Sequence, residues 1–198
     1  MDNLPQRNPV VLIHGLNDTT TVFNKMSAYL TNLGWSVHCF NLTPNNGQAP
    51  LETLAEQVAD YIQLNFEPQQ KLDLLGFSMG GLVTRYYLQR LGGIERVQRY
   101  INISAPNHGT LMANVLSRPG ILQMRPHSDF TQDLNRDVIE QLGKLHFTWM
   151  WTPFDLMIIP AESSRLPVGK ELKFSIKFHP WMLEDLRVIK AVAKALSD

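Results

Sequence analysis

The segment Gly76-Phe77-Ser78-Met79-Gly80 fits the pattern G-x-S-x-G, a serine held between two glycines. Such a hydroxyl can attack a carbonyl carbon if a base takes its proton and the backbone turns sharply enough to lift it clear of its surroundings. The context makes the reading specific. Leu72-Asp73-Leu74-Leu75 is an apolar run fit for a strand, and Leu82, Val83, Tyr86 and Leu91 recur at helical spacing after the serine. Gly76 and Gly80 are small where strand and helix backbones must nearly touch, and Gly81 continues that logic. Ser78 is therefore the candidate nucleophile.

Acyl transfer also needs donors for the developing oxyanion, a base and a group that orients the base. The amide of Met79, directly after the serine and at the head of a helix, is one donor. The second is expected in the loop after the first strand. There Gly15 lets the chain turn tightly enough to aim the Leu16 amide, with the His14 imidazole read as a brace for the loop. Serine turns of this kind carry their partners in the order nucleophile, acid, base. His179 suits the base, because it follows the last expected strand, through Lys173 to Phe178, and precedes the C-terminal helix, whereas His14, His38, His108, His127 and His146 all come too early. Asp155, after Phe147 to Trp151, is the candidate acid, with Glu162 as the nearest rival and Asp129, Asp133 and Asp137 in an earlier region.

These residues need a frame. Val10 to Ile13 reads as a first strand buried on both faces. Val22, Phe23, Met26, Leu30 and Leu33 mark a helix, with Thr20 or Thr21 as N-cap and Gly34 as its stop. Trp35 to Asn41 is a second strand. Leu51, Leu54, Val58, Tyr61 and Ile62 form a helix that Pro68 keeps from continuing, and Lys71 to Phe77 is the strand before the nucleophile. A helix from Ser78 to Arg90 and a strand from Val97 to Ile103 follow. Strands alternating with helices imply right-handed crossovers and a mostly parallel sheet covered on both faces, with its site at the carboxyl ends of the strands. Residues 104–145 are less regular, with short helices expected at Thr110 to Leu116 and Phe130 to Lys144. Strands at Phe147 to Trp151 and Glu171 to Phe178 and a helix with Leu183, Leu186, Ile189, Ala193 and Leu196 on one face complete the chain.

Composition narrows the function classes. The 198 residues are 44% hydrophobic and carry 18 basic and 18 acidic side chains, so net charge gives no broad case for nucleic acid or an anionic membrane. One compact domain over 1–198 is expected, with 104–146 as an excursion that could serve as a small lid or acyl groove through Leu111, Met112, Val115, Leu116, Ile121, Leu122 and Met124. Cys39 stands alone and no Cys/His cluster has zinc spacing, so neither a disulfide nor a metal is expected. Met1 to Pro9 is polar and proline-punctuated, unlike a secretory signal, and a cytoplasmic protein is the expectation.

Taken in series, Val10-Val11-Leu12-Ile13-His14-Gly15, Gly76-Phe77-Ser78-Met79-Gly80-Gly81, Ser104-Ala105-Pro106-Asn107-His108-Gly109-Thr110, Asp155-Leu156-Met157-Ile158-Ile159-Pro160 and His179-Pro180-Trp181-Met182-Leu183 resemble the small bacterial, especially cyanobacterial, triacylglycerol lipases and esterases of the α/β-hydrolase superfamily. The resemblance implies a compact α/β-hydrolase fold without a large cap domain. It also implies a Ser78, Asp155, His179 triad, Leu16 and Met79 as oxyanion donors, no cofactor, and a small-molecule or lipid ester as substrate, with transient contact at lipid surfaces. The chain departs from these lipases after Pro106, where Asn107 precedes His108, and His108 is read as fixing its loop. Acyltransfer and thioester cleavage share this machinery, and a noncatalytic module on the same scaffold is a separate class.

Overall fold

The computed structural model describes residues 7–198, so part of the Met1 to Pro9 opening lies outside the described residues. Six strands form one sheet: β1 (Val10–Ile13), β2 (Val37–Cys39), β3 (Leu72–Phe77), β4 (Val97–Ile103), β5 (His146–Trp151) and β6 (Lys170–Lys173). Their order is β2-β1-β3-β4-β5-β6, and every neighbouring pair is parallel. All residues of β1 and β3 are buried, and they are apolar, as strands covered on both faces require, apart from Gly76 and Asp73, whose carboxylate accepts from the Arg99 amide at 3.1 Å. Side chains alternate between two cores. Val11 and Ile13 face a cluster with α2 (Leu51–Asn65) and α3 (Met79–Arg90), while Val10 and Leu12 face α1 (Asn24–Asn32) and the C-terminal helix. Register sets Ile13 beside Gly76, Phe77 beside Ile103 and Ile103 beside Met150, so the carboxyl ends of four strands share one rim.

Several elements differ from the sequence expectation. The helix expected to begin at Thr20 or Thr21 opens as a 3-10 turn, Thr20–Phe23, with Thr19 at its cap and no side-chain capping bond. Helix α1 proper starts at Asn24. Gly34 does end it, at φ 89°. The excursion holds a 3-10 turn (Leu111–Asn114) and three short helices, α4 (Pro119–Gln123), α5 (Asp129–Arg136) and α6 (Val138–Leu142). Pro119 opens α4, where its missing N–H costs nothing. The single helix expected at 130–144 breaks at Asp137, whose carboxylate accepts from Arg90 at 2.8 Å and from Gln89 at 2.8 Å. Those bonds, with Arg90 to Asp133 at 2.7 Å and the buried Arg85 donating to the Leu134 carbonyl at 2.7 Å, seat the excursion on α3.

Strand β6 stops at Lys173 rather than Phe178, because its one partner, β5, ends at Trp151 and leaves no ladder to extend. The chain then passes through a 3-10 turn, His179–Leu183, into α7 (Leu186–Ala195). Leu183 thus precedes that helix, and Asp185 caps it by accepting from the Arg187 amide. Among the described residues no helix is long and apolar enough to cross a membrane.

Candidate active site

Ser78 stands between β3 and α3 with φ 53° and ψ −125°, a conformation that non-glycine residues adopt only at a cost. Its amide donates to the Ile103 carbonyl at 2.9 Å, tying the turn to β4. The flanking glycines are dictated by backbone. A Cβ on Gly80 would lie 2.5 Å from the His14 carbonyl oxygen, and one on Gly76 would lie 2.6 Å from that of Gly80. The close approach of α3 to the end of β1 therefore requires Gly80, and its close approach to β3 requires Gly76.

His179 begins its 3-10 turn and is buried. Its Nδ1–H donates to Asp155 Oδ2 at 2.7 Å, which leaves Nε2 as the nitrogen with the free lone pair. The ring packs against Phe77, centroids 4.8 Å apart, which places it beside the neighbour of Ser78. Asp155 is held as firmly, since Oδ1 accepts from the Met157 amide at 2.9 Å and the Ile158 amide at 3.1 Å. Glu162, the rival acid, lies exposed in the turn Ala161–Ser164. Ser78 and His179 line one cavity of about 580 Å³, together with Leu16. The one side-chain hydrogen bond of His179 among the described residues is to Asp155 and none joins it to Ser78, although contacts between a candidate nucleophile and its base commonly tighten only when substrate arrives.

Met79 is the first residue of α3, where amides have no partner within the helix. Neither its amide nor that of Leu16 bonds to another described residue. Gly15 brings the Leu16 loop close to the serine: a Cβ there would meet Ser78 Cβ at 3.0 Å, while the positive φ of this loop falls at Asn17. The His14 ring braces the loop as expected. Nδ1–H donates to the Gly15 carbonyl at 2.9 Å and Nε2 accepts from the Leu42 amide at 3.0 Å. His108 likewise fixes its loop, with Nε2–H donating to the Arg165 carbonyl at 3.1 Å and Nδ1 accepting from Asn135 at 3.1 Å. It does not line the cavity.

Sequence reasoning missed three residues here. Thr110 is buried against the loop that bears the acid: its hydroxyl donates to the Met157 carbonyl and accepts from the Ile159 amide, each at 2.9 Å. Asn107 accepts from Arg85 at 3.2 Å and donates to the Ser164 carbonyl at 2.8 Å, joining the loop after β4 to α3 and to the turn at 161–164. Asp18 lines the cavity. The one signal for Thr110 and Asn107 is their place in the loop that follows β4, at the end of the sheet where site residues gather.

Burial pushes the pKa of His14, His38 and His108 down from the ordinary value. A histidine whose folded pKa lies below its unfolded value of about 6.5 is neutral in both states above that pH, and protonates first in the unfolded chain on acidification. Its contribution is therefore present above about pH 6.5 and lost as pH falls toward the folded values. Asp18 and Asp73, raised chiefly by burial, act in the opposite sense, in the window that opens upward from the ordinary carboxylate pKa. The thermal midpoint is expected to fall as pH drops just below 6.5; a flat or rising midpoint in that interval would contradict the histidine assignment.

Residues 9–140 match the model of the family described as palmitoyl protein thioesterase. Among solved structures, the chain resembles the Bacillus licheniformis lipase BlEst2 in mature form, at TM-score 0.78 and 16% identity over 98% of this chain and 93% of that one. It also resembles Aspergillus fumigatus lipase B, at TM-score 0.80 and 19% identity over 97% and 53% of the two chains. Polyneuridine aldehyde esterase matches at TM-score 0.69 and 18% identity over 98% and 100%. At these identities the likeness is one of fold.

Proposed function

The chain belongs to the palmitoyl protein thioesterase family and is a carboxylic ester hydrolase, and on that premise we propose that it cleaves lipid acyl esters through a covalent acyl-enzyme on Ser78. The observation that carries this reading is the 2.7 Å hydrogen bond from His179 to Asp155, made by a ring that lines the same cavity as the strained Ser78. His179 Nε2 takes the hydroxyl proton as Oγ bonds to the carbonyl carbon. The Leu16 and Met79 amides receive the negative charge on the carbonyl oxygen, where one such donor contributes about 2.7–4 kcal/mol by analogy. Collapse expels the alcohol or thiol, protonated by His179. Water, deprotonated by the same nitrogen, then releases the acid and restores Ser78. Asp155 holds the tautomer and stabilises the imidazolium. The scheme calls on no metal or cofactor.

A lipid acyl chain suits the walls of the cavity. Met112, Ala113, Val115, Leu116, Ile121 and Met124 from the excursion form one side of it. Ile121 and Met124 are buried, whereas Val115 is 73% exposed, so the wall runs from core to solvent. Leu156, Met157 and Phe178 are exposed cavity residues as well, and this apolar rim supports transient contact with a lipid surface. The family's name makes an S-acyl thioester the second substrate class, since the same steps expel a thiol.

The test is labelling with a fluorophosphonate serine probe, followed by p-nitrophenyl esters of increasing chain length and a matched ester and thioester pair. Labelling at Ser78 with turnover that rises beyond short acyl chains is expected. An unlabelled, folded protein would point to a noncatalytic module instead.

A further inference from the structure

The cavity around Ser78 has an uneven distribution of charge. Among the described residues that line it there is no lysine or arginine, and besides His179 the ionisable groups are Asp18 and Glu184. Glu184 is exposed at the start of the connection to α7, and its main-chain carbonyl accepts from Lys25 Nζ at 2.6 Å, which brings a compensating cation to its side. Asp18 stands inside. It is half-buried, and the point where a Cβ on Gly15 would sit is 2.8 Å from Asp18 Oδ2 and 3.0 Å from Ser78 Cβ, so carboxylate and nucleophile flank the same glycine. The positive φ of Asn17 turns the loop that carries it. No lysine or arginine among the described residues pairs with Asp18.

We propose that Asp18 makes this site select by charge, turning over esters whose alcohol portion is neutral or cationic and rejecting those with a phosphate or other anion close to the scissile bond. The inference rests on the hydrolase reading above and names the substrate class of that same site. An acyl chain laid along Met112, Val115, Leu116 and Ile121 leaves the polar remainder of the cavity, Asn17, Asp18 and Glu184, to the alcohol. A hydroxyl or an ammonium finds acceptors there. An anion meets an uncompensated carboxylate in a partly desolvated space, where each unit of like charge costs about tenfold in rate at an intermediate effective dielectric. Burial raises the Asp18 pKa while the charges of His14 and His179 pull it down, in keeping with a carboxylate that looks onto both rings.

Three oxygen esters of one acyl chain test it: octanoylcholine, 1-octanoylglycerol and 1-octanoylglycerol 3-phosphate, below their micellar concentrations and at low ionic strength. The expected kcat/KM is at least about tenfold lower for the phosphate than for the glycerol ester. Asp18→Asn should shrink that ratio severalfold. In the unmodified protein, added salt should shrink it too, a readout that needs no variant. Equal or better turnover of the phosphate ester by the unmodified protein, or a ratio untouched by both Asp18→Asn and salt, would overturn the inference while leaving the hydrolase intact. No turnover of any ester together with no fluorophosphonate labelling would overturn the hydrolase reading, and this inference with it.

Discussion

Ester turnover by the Ser78→Ala variant is expected to fall by about 10⁶-fold, by analogy with other serine nucleophiles, with the fold unchanged. The hydroxyl is the one protein group in the scheme that bonds to substrate carbon, and alanine keeps the Cβ that the strained turn already accommodates at φ 53°. Thermal unfolding should be no lower than in the parent chain. His179→Ala should lose a similar amount and the double variant little more, because nucleophile and base act as a unit. The measurement is initial rate on a p-nitrophenyl ester with purified, folded protein. Substantial residual turnover in Ser78→Ala would remove the central assignment.

Exchange of Asp155 for asparagine should reduce kcat by up to about 10⁴-fold, while Glu162→Gln changes it little. Asparagine can keep the Oδ1 contacts to the Met157 and Ile158 amides, so the loop retains its shape. Its amide nitrogen would replace Oδ2, however, and present donors to His179 Nδ1 across the 2.7 Å contact. The ring then gains by placing its proton on Nε2, the tautomer that cannot accept from Ser78. Parallel rate measurements on the two variants decide between the acids. Should Glu162→Gln lose activity and Asp155→Asn keep it, the role passes to Glu162.

What was legible in the sequence follows from how locally each feature is determined. Strand β1 announces itself because a strand covered on both faces is apolar, β3 and β4 because their apolar residues outweigh Asp73 in the one and Gln98, Arg99 and Asn102 in the other, and the turn at Ser78 because only glycine fits between α3 and the carbonyls at the end of β1. The series of anchors that resembled lipases and esterases also led to the right fold. Helix α4 was hidden behind Pro119 and Gly120, residues that read as loop until one sees the proline at a helix start. The length of β6 depended on where β5 ends. Thr110 and Asn107 look ordinary in sequence, since what they hold lies 47 to 57 residues away along the chain.

The hydroxyl of Thr110 also has a meaning for how such a chain can change. It binds the loop of Asp155 through Met157 and Ile159, and it opens the turn Leu111–Asn114 that carries Met112 and Ala113 into the cavity. In the proposed scheme, the segment that would hold the acyl group and the segment that would orient the imidazole are thus fastened at one atom. New chain-length preferences are open to substitution at Val115 and Leu116, which lie farther along the excursion and outside that fastening. Under that scheme, insertions next to Thr110 would alter what is bound and how fast it reacts in the same stroke.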